Sequence, residues 1–189
     1  MAKELITVKE FTEFKNVGRK IDEPKIRECI ELAQSVDMFD NLDEFYFDVL
    51  ENKTSAAYRD LMVGSSFTVN GERFRHEGLK SLIADYTYAR YLYIINANLT
   101  PFGATTKLTQ DSKPLDRNIL RDMVKQSQVD ASVKFRMIDK YLRENEGTFP
   151  RYCKKNNSFI NTYSQKFSTL DSRDYDLDNN AYNRRYNNE

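Results

Sequence analysis

From Asp116 to Glu146, small or apolar side chains return every three or four residues: Leu120, Val124, Ser127, Ala131, Phe135, Ile138 and Leu142. Ile119, Met123, Val133, Met137 and Tyr141 form a second strip beside them, and Gly147 and Pro150 close the pattern. At 1.5 Å per residue, about 30 residues make a rod of roughly 45 Å. Such a rod outreaches the small domain that 189 residues allow. Part of it is therefore expected to pack on something outside its own domain.

The N-terminal third reads as short amphipathic helices. Thr7 followed three residues later by Glu10 is a capping box, which predicts a helix over Val8 to Phe14. Asp22 is a good N-cap and Pro24 fits a first turn, so Ile26, Cys29, Ile30 and Ala33 mark a helix from Glu23 to Ser35. Leu42, Phe45, Tyr46, Val49 and Leu50 continue at helical spacing, and a further helix stops at Gly64.

Asn70-Gly71 interrupts this pattern. An Asn-Gly pair between β-formers is the strongest short hairpin signal, and it predicts a ribbon over residues 66–76. A lone two-stranded ribbon is only marginally stable in water, so this one needs support. The next helix, "GLKSLIADYTYARYLYII", nearly loses its polar face after Tyr86, as a centrally buried or partner-shared helix does. "TPFGATTKLTQDSKPLD" lacks a helical period and reads as extended chain or loop.

From Arg151 onward the chain is rich in Asn, Ser, Asp and Tyr, has few aliphatics, and shows neither period two nor 3.6. Such a segment buries too little apolar surface to offset its ordering entropy. Its single aromatics are spaced like anchors that order on a partner. The fold class that follows is mainly α: a helical bundle with a long C-terminal helix, one β-hairpin and an extended C-terminal tail. Residues 1–150 form the domain and 151–189 the tail.

The 29 basic residues balance 29 acidic ones, which argues against a protein that works by gripping phosphates or an anionic membrane. No signal peptide and no apolar run long enough to span a bilayer is visible, so the protein is expected to stay in the cytoplasm. Cys29 reads as a small core residue and Cys153 as an incidental thiol, with no disulfide expected. His76, the sole histidine, sits next to Glu77 and reads as a surface pair. No phosphate loop, nucleophile elbow, zinc-ligand motif or EF-hand loop is present. Catalytic residues, metal and cofactor are accordingly expected to be none, and sequence-specific DNA binding is not expected of the short basic "NGERFRHEGLK" and "YNRRY" stretches.

The order of these elements carries a resemblance. The "NLDEFYFDVLEN" segment, the "GSSFTVNGERFRHEGLK" hairpin, the "SLIADYTYARYL" helix, "NLTPFGATTKLTQDSKPLD" and a long closing helix resemble the head-to-tail connector proteins of tailed bacteriophages, in particular the ring or neck proteins of crAss-like phages. The resemblance covers roughly residues 5–150 and omits the Asn-rich tail. It implies a structural virion protein, made in the bacterial host cytoplasm and placed in the neck at the portal vertex. There a ring, usually a dodecamer, joins the capsid to the tail and lets double-stranded DNA pass.

On that reading, Phe67, Thr68, Val69, Arg73, Phe74 and Arg75 of the hairpin and Phe102, Thr105 and Leu108 of the extended segment are candidate subunit contacts. Tyr88, Tyr91, Met123, Met137 and Tyr141 are the candidates on helices. Phe159, Ile160, Tyr163, Phe167, Tyr175, Tyr182 and Tyr186 are candidate anchors of the tail on the portal or another neck protein. The competing class is a small helical adaptor or regulatory module that binds one protein partner.

Overall fold

The computed structural model describes residues 4–18, 22–95, 97–100, 103–106 and 116–152. The elements are α1 (Val8–Phe14), α2 (Glu23–Leu32), a π-helix (Ala33–Met38), α3 (Phe39–Leu42), α4 (Phe45–Asn52) and α5 (Ala56–Val63). β1 (Ser65–Val69), β2 (Glu72–His76), α6 (Gly78–Ile95), β3 (Ala97–Thr100), β4 (Gly103–Thr106) and α7 (Arg117–Glu144) follow. The architecture is mainly α, with a long closing helix and a hairpin. The tail from residue 153 lies outside the described residues, as do Phe102 and Leu108.

The first helix starts as its sequence requires. The Glu10 N–H donates to Thr7 Oγ1 at 3.2 Å, and the Thr7 N–H donates to Glu10 Oε2 at 2.8 Å. The second departs from expectation. Helical backbone continues past Ser35 to Leu42 through six residues of π-helix and stops at Asp43, whose φ is +54°. The wider turn places Ala33, Gln34 and Met38 inside, and the Gln34 side chain accepts the Leu5 N–H. Tertiary partners thus override the local 3.6-residue period.

Helix α6 is the hub. Leu79, Leu82, Ile83 and Ala84 are sealed from solvent, and α1, α2, the π-helix, α5 and α7 all pack around them. Of the α7 stripe, Val124, Ser127, Ala131, Phe135, Ile138 and Leu142 are buried, mostly against α6. The second strip is divided: Tyr141 is buried, Met123 and Met137 are half-buried, and Ile119 and Val133 face solvent. After α7 the chain turns so that Phe149 is fully buried, 5.2 Å from Tyr58 and 6.0 Å from Phe45 between ring centroids. The body therefore closes on an aromatic cluster supplied by residues just beyond the long helix.

The β1–β2 ribbon pairs antiparallel, Val69 opposite Glu72, around Asn70 and Gly71 with φ of +51° and +84°. Two positive φ values define the type I′ turn that Asn-Gly favours. The extended segment after α6 holds more structure than its sequence announces. The segment after α6 contains a second ribbon, with Ala97 opposite Thr106 and Thr100 opposite Gly103. Two four-residue strands are too short to show period-two alternation, so the sequence concealed them.

Candidate functional site

The β1–β2 ribbon packs one face inward and exposes the other. At its base, Gly64 (φ +102°) and Gly78 (φ +82°) bring two backbones together. A Cβ on Gly78 would sit 2.5 Å from the Met62 carbonyl oxygen, and one on Gly64 would sit 2.7 Å from the His76 carbonyl oxygen. Only glycine meets both the conformation and the spacing. On the inner face, Phe67 is buried between Phe74, at 5.9 Å, and Tyr141, at 5.4 Å. Lys140 Nζ lies 3.2 Å from the Phe74 ring centroid. The outer face carries Ser66 and Thr68 directly opposite Arg75 and Arg73, all four exposed.

In a two-residue hairpin the pair flanking the turn is hydrogen-bonded, and bonding then alternates. Val69, Phe67 and Ser65 therefore bond across to β2, whereas the backbone groups of Ser66 and Thr68 point away from it. A shallow cleft of about 360 Å³ runs beside β1 between Asp60 of α5 and Glu144 of α7. Its strand wall is Ser65 to Thr68.

His76 is not a surface residue. It is 1% exposed, its ring lies 4.3 Å from that of Tyr141, and Nε2 is 3.0 Å from Ser65 Oγ. The last β2 residue points inward with Phe74, which the adjacency to Glu77 in sequence hides. Burial depresses the His76 pKa to about 4, against a small opposing pull from Asp60. The ring is therefore neutral at pH 7. Burial raises the Tyr141 pKa, although its hydrogen bond to Ser65 works the other way. A serine hydroxyl beside an imidazole is the start of a nucleophile–base pair. However, Nδ1 has no partner among the described residues, so nothing there orients the ring as such pairs require. The His76 ring packs on those of Phe67 and Tyr141.

A second constellation lies where α6 meets α7. Asp85 is completely buried, and its carboxylate is paired with Lys15 and with Lys134 Nζ at 2.7 Å. Lys134 also reaches Glu77 at 3.1 Å and Ser81 Oγ at 2.8 Å, and Ser127 Oγ donates to the Asp85 carbonyl at 2.9 Å. Burial alone would lower the Lys134 pKa, but its bonds to Asp85 and Glu77 outweigh that and raise it. A buried carboxylate is tolerable only when paired and hydrogen-bonded, and here the pairing ties α1, α6 and α7 together. Arg90 forms a two-pronged bond with Asp37 at 2.7 and 2.8 Å, and Asp48 is held by Arg151 at 3.0 Å and by the Tyr58 hydroxyl. Among the described residues no group of three metal-ligating side chains forms, and no helix is long and apolar enough to cross a membrane.

The candidate contacts divide accordingly. Phe67, Tyr91 and Tyr141 are buried within the subunit itself, which removes them from its exposed surface. Thr68, Arg73 and Arg75 are exposed, while Val69, Phe74, Tyr88, Met123 and Met137 are half-buried. Thr105 lies in β4 opposite Asn98. Phe159, Ile160, Tyr163, Phe167, Tyr175, Tyr182 and Tyr186 lie outside the described residues. Sequence reasoning missed an exposed group, Leu32, Val36, Phe39 and Phe47, whose first three members are spaced by four and three.

Residues 38–161 match the model of a family of unknown function, DUF6712, and the chain belongs to that family. Neither a search of curated proteins nor one of solved structures finds a match.

Proposed function

We propose that this member of DUF6712 is a structural virion protein. It forms a ring in the neck of a tailed phage, joins the portal vertex to the tail and lets DNA pass. What supports this reading most is a pair of two-stranded ribbons with no third strand among the described residues. In β1 the outward backbone groups of Ser66 and Thr68 face a cleft. The β3–β4 ribbon has the end of α6 as its one substantial neighbour among the described residues. Open edges are liabilities in a monomer and templates for strand addition in an assembly. A ring built from heterologous contacts pairs each subunit's edge with the next.

In this reading β1 receives the β4 region of an adjacent copy. Thr68, Val69, Arg73, Phe74 and Arg75 face that seam together with Phe102, Thr105 and Leu108. Half-buried Tyr88, Met123 and Met137 extend it along the helices. The end of the tail, with Tyr175, Tyr182 and Tyr186, anchors on the portal or another neck protein. The lumen is neutral or mildly acidic, because each phosphate clamp would add a binding term that opposes sliding. The role is one of architecture, with no reaction to catalyse and no cofactor to hold. The exposed Leu32, Val36, Phe39 and Phe47 group favours a second reading, a small adaptor that binds one protein.

Mass in solution separates the two. Native mass spectrometry with and without a candidate portal is expected to show a closed ring, about twelve times 22.3 kDa if the symmetry is dodecameric. A monomer under both conditions would replace the ring with the adaptor.

A further inference from the structure

The exposed apolar group has an unusual electrostatic setting. Leu32 is 40% exposed, Val36 51%, Phe39 39% and Phe47 55%. The Phe39 and Phe47 rings meet edge to face at 5.8 Å, and Phe39 also meets Tyr46 at 6.3 Å, so α3 and α4 share one aromatic surface. From Glu28 to Asn52 the chain carries Glu28, Glu31, Asp37, Asp40, Asp43, Glu44, Asp48 and Glu51 and not one lysine or arginine. Asp37 is bound by Arg90, and Asp48 by Arg151 and Tyr58. Glu28, Glu31, Asp40, Glu44 and Glu51 face solvent. The elements that carry these exposed apolar side chains thus also carry five exposed carboxylates, with Arg27 and Lys53 only at the ends of the stretch and Arg90 engaged by Asp37, in a chain whose net charge is zero. Exposed aromatic side chains on an acid-rich stretch favour a partner with matching anchors and the opposite sign.

The same chain holds a segment of that chemistry. Residues 154–170, "KKNNSFINTYSQKFSTL", contain Lys154, Lys155 and Lys166 and no Asp or Glu. Although the tail as a whole has no period, Phe159, Tyr163, Phe167 and Leu170 recur at steps of four, four and three, the spacing of anchors on one helical face. Acids return only at Asp171. We infer that the acidic aromatic surface formed by α2, the π-helix, α3 and α4 is the docking site for residues 154–170 of a neighbouring copy. This rests on the ring reading for its stoichiometry: each copy offers one surface and one segment, so head-to-tail closure fills every surface. The seven residues from Cys153 to Phe159 can span about 23 Å when extended, which is the reach available to seat the first anchor on an adjacent subunit.

The test uses full-length protein assembled from equal parts of light and heavy isotope-labelled chains, treated with a zero-length carboxyl–amine cross-linker and read by mass spectrometry. Docking predicts links from Lys154, Lys155 or Lys166 to Glu28, Glu31, Asp40, Glu44 or Glu51, with light–heavy pairs present. It also predicts at least a tenfold loss of these links in Val36→Asp/Phe47→Asp, both changes lying at exposed positions. Links confined to same-isotope pairs, links to other carboxylates only, or none in the wild type would overturn the assignment, and the wild-type result decides even if the variant misfolds. Native mass recorded on the same sample keeps the two ideas apart. A ring without these links sinks the docking site and spares the ring, whereas light–heavy links in a dimer do the reverse.

Discussion

The two ribbons of this protein are built alike and supported differently. The β1–β2 ribbon rests its inner face on Tyr141, ends in a buried histidine and is anchored by two backbones that touch at Gly64 and Gly78. Among the described residues, the β3–β4 ribbon has α6 as its main neighbouring element. Two strands rarely suffice for independent stability, and the first ribbon gains its support from the core. A strand pair becomes structural when a helix covers one face, and in the proposed ring the other pair is free to act as an interaction element.

The largest expected effect tests the first half of that contrast. Gly78→Ala forces a Cβ to within 2.5 Å of two backbone atoms at a positive φ and is expected to cost about 4 kcal/mol or more, read from urea unfolding. Replacing residues 97–106 with a Gly-Ser linker should change the same measurement by less than about 1 kcal/mol. Equal losses would erase the distinction between the ribbons.

Asp85→Asn comes next, because it leaves Lys15 and Lys134 facing a neutral group in a dry site. The expected loss is about 3 kcal/mol, visible as a lowered melting temperature. Little change would mean that water reaches the lysines.

The His76 contribution depends on pH with a definite sign. Its pKa falls from 6.5 in the unfolded chain to about 4 in the fold, so the unfolded state binds more protons between those values. Stability from the neutral buried ring is complete above about pH 6.5 and is lost as pH falls toward 4, by up to about 3 kcal/mol. Glu77 is held below its usual range by its bond to Lys134, and Glu10 likewise by bonds to Lys80 and Thr7 that outweigh the upward push of burial. Both therefore add a loss of stability as pH falls through the ordinary carboxylate range, which overlaps the lower end of the histidine's window. Comparing unfolding midpoints at pH 7 and 4.5 in wild type and His76→Gln isolates the histidine share. A parallel decline in both proteins would assign the loss to the carboxylates.

The smallest effect sharpens the picture of the ribbon's rim. Lys140→Ala removes the ammonium from the Phe74 face and should cost about 0.5–1 kcal/mol, without disturbing the fold seen by circular dichroism.

Much of the architecture was legible because it depends on neighbours in sequence. The Thr7–Glu10 box, the stop at Gly64, the Asn70-Gly71 turn and the α7 stripe through Val124 and Ile138 are short-range codes, and each appears where it was read. The π-helix was not legible, since the Leu5–Gln34 bond that accompanies it joins residues 29 apart. The inward turn of His76 and the pairing of Asp85 escaped for the same reason. Whether a polar side chain at the end of a strand or in the middle of an apolar helix is buried depends on what packs opposite, here Tyr141 for one and two lysines from other helices for the other.

The exposed surface shows the division most clearly. Sequence alone determined that this chain builds amphipathic helices around an apolar hub, interrupts them with a tight hairpin, and concentrates acid between Glu28 and Glu51, because turn chemistry, periodicity and charge are properties of adjacent residues. Only the tertiary structure decided that Tyr91 and Tyr141 are enclosed while Val36, Phe39 and Phe47 are left in solvent. All are apolar or aromatic residues on helices, and burial is decided by the partner surface each side chain meets, which local sequence does not encode.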